Sequence, residues 1–152
     1  MRLVAASIEI NARPEKILPA FLKQEHLKAW WGVDRSLIEP KAGGVYTLAW
    51  NFSEQGIKYI STGVFDELIP GEYLMIKNLV YLNPEKNILG PMELEIDLIA
   101  TDDKITKVGV VQSGYKYGGD WDWYYEAVLT AWPQALEMLK NYLEKTLFLQ
   151  RL

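Results

Sequence analysis

The spacing of apolar residues changes period twice along the chain, and each change marks a change of element. Over residues 2–10, Val4, Ala6, Ile8 and Ile10 alternate with Ser7 and Glu9, the period of a strand. Pro14 suits the first turn of a helix, where its missing N–H costs nothing. That helix runs through Ile17, Phe21 and Leu22, and Pro19 should bend or shorten it. A second short helix, Gln24–Trp31, should end at Gly32, a residue free to take the left-handed conformation that closes helices.

From about residue 33 to residue 113 the period is two. Strands are predicted over Val33–Glu39, Val45–Phe52, Ile57–Ile69, Tyr73–Tyr81, Met92–Leu98 and Ile105–Ser113. Gly63 marks a bulge or bend in the long third one. Pro70-Gly71 makes a tight turn after it, and Asn83–Pro91 is a polar loop. Met92, Leu94, Ile96 and Leu98 should be buried, with Glu93, Glu95 and Asp97 on the wet face.

From Asp120, placed to cap it, the pattern returns to a helical period. Trp121, Tyr125, Val128, Leu129, Trp132, Ala135, Leu136, Leu139, Tyr142 and Leu143 form a wide, aromatic-rich face. The expected fold is α+β: a curved antiparallel sheet of about seven strands gripping a long C-terminal helix, with two short helices after the first strand. One domain spanning 1–152 is expected. A long helix on a curved sheet can leave a cavity between the two, and function is sought there.

Composition narrows the choices. The net charge of −4 provides no general basic field, which argues against nucleic acid as a partner. With no cysteine, disulfides, thiolate metal sites and thiol nucleophiles are excluded. A single histidine, His26, argues against a histidine metal cage or a charge-relay triad, and it reads as a surface residue. The N-terminus reads as a strand rather than a signal peptide, and no window reaches the roughly 20 apolar residues of a membrane helix. A cytoplasmic protein without membrane insertion is therefore expected. The compositional skew is aromatic: 6 Trp and 9 Tyr, concentrated in the first third and in residues 115–132.

Those rings supply the candidate site. Tyr46, Leu48 and Trp50 share one strand face and, with Met92, Leu94, Ile96, Val108 and Val110, make a concave wall. Trp121, Trp123, Tyr124, Tyr125 and Trp132 would face it from the helix, though Trp121 and Trp123 cannot share a face. Trp30-Trp31 can form a lid at its helix end. Ser61, Asn78 and Gln112 can orient a ligand by hydrogen bonds if their strand phase points them inward. The expected ligand-binding set is Trp31, Tyr46, Leu48, Trp50, Asn78, Met92, Leu94, Gln112, Trp121, Tyr125 and Trp132. Plain core packing is the competing reading of the same rings. Asp120, Asp122 and Glu126 are accounted for by capping and the helix dipole rather than by a metal. No catalytic residue, metal ligand or cofactor is assigned.

Several segments in this order resemble a known family. They are Ala12-Arg13-Pro14-Glu15-Lys16-Ile17, Leu27-Lys28-Ala29-Trp30-Trp31-Gly32, Gly43-Gly44-Val45-Tyr46 with Trp50, and Gly63-Val64-Phe65. Ile69-Pro70-Gly71-Glu72-Tyr73-Leu74 and Ala131-Trp132-Pro133 with Tyr142-Leu143-Glu144 complete the set. Together they resemble the helix-grip (START/Bet v 1-like, SRPBCC) superfamily, in the branch similar to the C-terminal domain of the Hsp90 ATPase activator. Arg13 stands where a capping Ser is commoner, and Ala131 where Gly is frequent. The resemblance implies a hydrophobic cavity between sheet and helix that binds a small apolar or aromatic molecule. A cyclase- or dehydratase-type enzyme using the same cavity is the first alternative it implies, and an Hsp90-associated stress-response protein the second. The chain carries only the region resembling the activator's C-terminal domain, so it is not expected to stimulate an Hsp90-type ATPase by itself.

Overall fold

The computed structural model describes residues 2–150. Its elements run β1 (Leu3–Ile10), α1 (Pro14–Ile17), a 3-10 turn (Leu18–Phe21) and α2 (Gln24–Trp31). Strands β2 (Arg35–Ile38), β3 (Val45–Ser53), β4 (Gly56–Ile69), β5 (Tyr73–Leu82), β6 (Leu89–Ala100) and β7 (Thr106–Ser113) follow, and α3 (Asp120–Gln150) ends the series. Strands β2 to β7 pair antiparallel with their sequence neighbours. β1 closes on β7, giving a seven-stranded sheet in the order β1-β7-β6-β5-β4-β3-β2. α3 packs along β1 and against α2, so both helices lie over the sheet. This is the expected α+β helix-grip arrangement.

Local chemistry sets the early elements. Pro19 cannot donate within a continuous helix, and the α-helix gives way at Leu18 to a 3-10 turn. α2 ends at Gly32, with φ +71°; its N–H reaches Lys28 O at 3.1 Å and the Val33 N–H reaches Leu27 O at 3.2 Å. That stop holds Trp30 and Trp31 at the helix end, facing the sheet's β3 side.

The middle of the sheet is bent by a bulge on β5. Thr62 pairs with Val80 but Val64 with Lys77, and Ile76 pairs with Leu94 but Leu79 with Met92. One extra β5 residue therefore lies between Ile76 and Leu79, where Asn78 takes φ +53°. Because side chains alternate along a strand, the extra residue inverts the phase. Leu74 and Ile76 are buried before it; after it Leu79 is buried and Asn78 exposed. Gly63 sits opposite on β4, and a Cβ there would meet Ile76 Cγ2 at 2.5 Å and Lys77 O at 2.9 Å.

α3 buries Tyr124, Val128, Trp132, Ala135, Leu136, Leu139 and Leu143. Its first turns are rotated from the expected face: Leu129 is exposed, while Trp121 and Tyr125 are half-buried. Pro133 denies Leu129 O its intrahelical partner, on a side of the helix that water reaches. Asp120 begins the helix, but its carboxylate accepts from the Asn87 N–H at 2.8 Å and so ties the β5–β6 loop to α3. Asp122 accepts from the Gly118 N–H at 3.0 Å and pairs with Arg2.

Candidate functional site

A cavity of about 260 Å³ lies between the sheet and α3. Its sheet wall comes from four strands: Tyr46, Leu48 and Trp50 on β3, Tyr59 and Ser61 on β4, Leu79 and Tyr81 on β5, and Leu94 on β6. A fifth strand, β7, adds Gln112. Tyr124, Val128, Ala131, Trp132 and Ala135 form the α3 wall, and Trp31 covers the α2 end. Among the described residues, no Asp, Glu, His, Lys or Arg lines it.

Trp31 is the centre of an indole cluster. It stacks on Trp30 at 4.8 Å between ring centroids, meets Trp50 edge-on at 5.3 Å, and tilts against Trp132 at 5.3 Å. Trp30 itself is buried and donates to Ala20 O at 2.8 Å, which anchors the pair. Trp50 Nε1 donates to Trp31 O at 3.2 Å. Of the two lid candidates, one is therefore core and the other faces the cavity.

At the other end the cavity is lined by phenols. Tyr81 stacks on Tyr124 at 4.6 Å and more loosely on Tyr59 at 6.4 Å. Buried Gln112 bridges the sheet to α3: its Oε1 accepts from Trp132 Nε1 at 2.8 Å, and its Nε2 donates to the Tyr124 hydroxyl at 3.1 Å. Nε2 also faces Met92 Sδ at 3.6 Å. Burial pushes the Tyr124 phenol up to about 12, and a donated hydrogen bond from Gln112 only partly offsets it. Burial likewise raises Tyr81, against a smaller lowering by Asn83. Tyr46 is raised by burial too, but its hydroxyl donates to Phe21 O at 2.8 Å, outside the lining.

Seven of the eleven residues in the expected ligand-binding set line this space, namely Trp31, Tyr46, Leu48, Trp50, Leu94, Gln112 and Trp132, and the further candidates Ser61 and Tyr124 line it with them. Four lie elsewhere. Asn78 is turned to solvent by the β5 bulge. Met92 is buried beneath the wall, in contact with Gln112. Trp121 and Tyr125 are half-buried against the core but outside the cavity lining. They pack edge-on against Tyr115 at 6.4 and 5.1 Å, and Arg2 sits 4.8 Å over Tyr125. Sequence reasoning did not place Tyr59, Leu79 and Tyr81 in the cavity; the inverted phase of β5 hid the last two. His26 is half-buried rather than on the surface, with Nδ1 2.7 Å from the Tyr142 hydroxyl, and docks α2 on α3.

A long helix gripping a bent antiparallel sheet over an aromatic cavity defines a helix-grip protein. Residues 11–144 match the family described as Activator of Hsp90 ATPase homolog 1-like protein, and the chain belongs to it. Solved structures share the fold. One is the solution structure of the Aha1 dimer from Colwellia psychrerythraea, with 23% identity, 95% of this chain and 97% of that one covered, and a TM-score of 0.69. Protein MLL2253 from Mesorhizobium loti gives 19% identity, coverage of 95% and 98%, and a TM-score of 0.74. CalU16 from Micromonospora echinospora gives 15%, 97% and 79%, and 0.67. At these identities the likeness is one of fold. No curated protein sequence matches the chain. No helix among the described residues is long and apolar enough to cross a membrane.

Proposed function

We propose that this chain binds a small apolar or aromatic molecule in the cavity between the sheet and α3. The observation that supports it is the lining: rigid indole and phenol rings around open space, with one buried amide spanning its back. Apolar-ligand sites have this make-up, large rings for contact area and a few fixed polar groups for orientation. A residue of pure core would instead be packed against neighbours on all sides.

The test is titration of the purified chain with flavonoids, fatty acids and sterol-like compounds, read by intrinsic tryptophan fluorescence and by thermal shift. Trp31, Trp50 and Trp132 lie in the wall, so occupancy should change their emission. A ligand at a hundred times its dissociation constant adds about 2.7 kcal/mol of stability. Silence of both signals across the panel would refute the reading.

A cyclase- or dehydratase-type enzyme is the second reading, kept because the same cavity could hold a reacting polyketide. Proton transfer near neutral pH favours a group that titrates there. The lining provides phenols instead, with Tyr124 raised to about 12. An Hsp90-associated role rests on the description of the family, whereas the cavity is a feature of this chain.

A further inference from the structure

Two tyrosines that line the cavity have the direction of their hydroxyl hydrogens set by a neighbouring amide. Trp132 Nε1 can only donate, so the Gln112 oxygen must face it, as it does at 2.8 Å. The Gln112 amide nitrogen is then turned to Tyr124, whose oxygen accepts at 3.1 Å. The Tyr124 hydroxyl hydrogen consequently points away from Gln112, and no acceptor meets it among the described residues. Asn83 repeats the arrangement: its Oδ1 accepts from the Glu85 N–H at 3.0 Å, which turns Nδ2 to the Tyr81 hydroxyl at 3.3 Å. The Tyr81 oxygen accepts, and its hydrogen too is uncommitted. Neither amide can turn over without setting a donor against a donor.

Resting on the binding reading above, we propose that the cavity selects an uncharged, planar molecule carrying a carbonyl-type acceptor, which the hydroxyls of Tyr124 and Tyr81 grip. The two rings are stacked 4.6 Å apart and line the same space, so one occupant can reach both. The indoles of Trp31, Trp50 and Trp132 provide flat faces for the rest of it. A carboxylate or an amine would be stripped of water there with no countercharge among the described lining residues. A pure hydrocarbon would fit but would leave both hydroxyl hydrogens buried and unpaired. Burial keeps both phenols protonated at physiological pH, so both stay donors.

The experiment compares three flat probes of similar size: fluorenone, fluorene and fluorenecarboxylate. Affinities for the full chain are read by thermal shift and fluorescence, and the carbonyl stretch of bound fluorenone by infrared difference spectroscopy. Fluorenone should bind about fivefold to tenfold more tightly than fluorene, the size of one or two net hydrogen bonds. Its carbonyl band should move to lower wavenumber, and fluorenecarboxylate should not bind. Tyr124→Phe and Tyr81→Phe should each bring the ratio of fluorenone to fluorene affinity down towards one. If Tyr124→Phe fails to fold, Tyr81→Phe and the infrared band of the unaltered chain decide. Equal binding of fluorenone and fluorene with an unshifted band overturns the selection but leaves the binding site standing. Binding of none of the three removes the binding reading and this proposal together.

Discussion

Gln112 on β7 and Trp132 on α3 are joined by a 2.8 Å hydrogen bond where both side chains are nearly shut off from water. It is a direct polar link between the sheet and the helix that grips it. Gln112→Leu fills similar space but leaves the Trp132 N–H buried without an acceptor, which costs about 1–3 kcal/mol. For a chain of this size each kcal/mol moves the midpoint by about 2–4 °C. Thermal unfolding followed by circular dichroism should therefore show a loss of several degrees. A midpoint unchanged within error would mean that the bond contributes nothing net.

The β4–β5 crossing predicts a second cost. A Cβ at Gly63 would come 2.5 Å from Ile76 Cγ2, 2.9 Å from Lys77 O and 3.3 Å from Leu79 Cα. Two of those atoms are backbone and cannot rotate aside. Gly63→Ala should thus destabilise by about 1–3 kcal/mol, the usual range for overpacking. Since the bulge also aims Leu79 and Tyr81 into the cavity, the variant should bind any cavity ligand more weakly. A stable variant with full affinity would show that β5 can shift without consequence.

The same bulge marks how far the sequence could be read. Period alone identifies all seven strands within a few residues; β6 begins earliest relative to expectation, at Leu89, inside the polar segment Asn83–Pro91. The side chains of β3 followed simple alternation, so Tyr46, Leu48 and Trp50 were placed on the inner face. On β5, simple alternation would put Asn78 on the face of Leu74 and Ile76, which is the phase its place among the expected ligand-binding residues requires. The extra residue reversed it, replacing Asn78 by Leu79 and Tyr81. Nothing in a local pattern announces a bulge at an Asn, although Asn tolerates positive φ better than most residues. α3 failed differently. Tyr124 and Tyr125 are both at helical spacing from Trp132, so identical side chains left the rotation ambiguous by one position. Tyr125 and Trp121 pack on Tyr115, and Arg2 sits over Tyr125, so both stay outside the cavity lining.

Acid should loosen the start of the sheet. The Asp34 carboxylate pairs with Lys28 and accepts from the Phe52 N–H at 3.0 Å, which hold it below its ordinary value of 3.8. The folded chain then binds this proton less tightly than the unfolded chain. The stabilisation is complete above the ordinary value and is lost as pH falls through the lowered one. Asp34→Asn should unfold at a lower temperature than the unaltered chain at about pH 6, and the gap should close towards about pH 2. A gap that is constant with pH would assign the effect to shape rather than charge.

Trp30 and Trp31 are adjacent and stacked at 4.8 Å, yet they should answer substitution differently. Trp30 is buried, meets Phe21 edge-on at 5.6 Å and satisfies its N–H on Ala20 O at 2.8 Å. Trp30→Phe removes that donor and leaves unfilled space, and losses of about 1–3 kcal/mol follow from such changes. Trp31 is half-buried, and its ring closes the α2 end of the cavity against Trp50 and Trp132. Trp31→Phe keeps an aromatic face but widens the opening, so stability should change by less than in Trp30→Phe while ligand affinity changes by more. Paired measurements of unfolding midpoint and of affinity for a cavity ligand separate the two. If both variants lose stability equally and bind equally, Trp31 is core like its neighbour, and the cavity does not extend to α2.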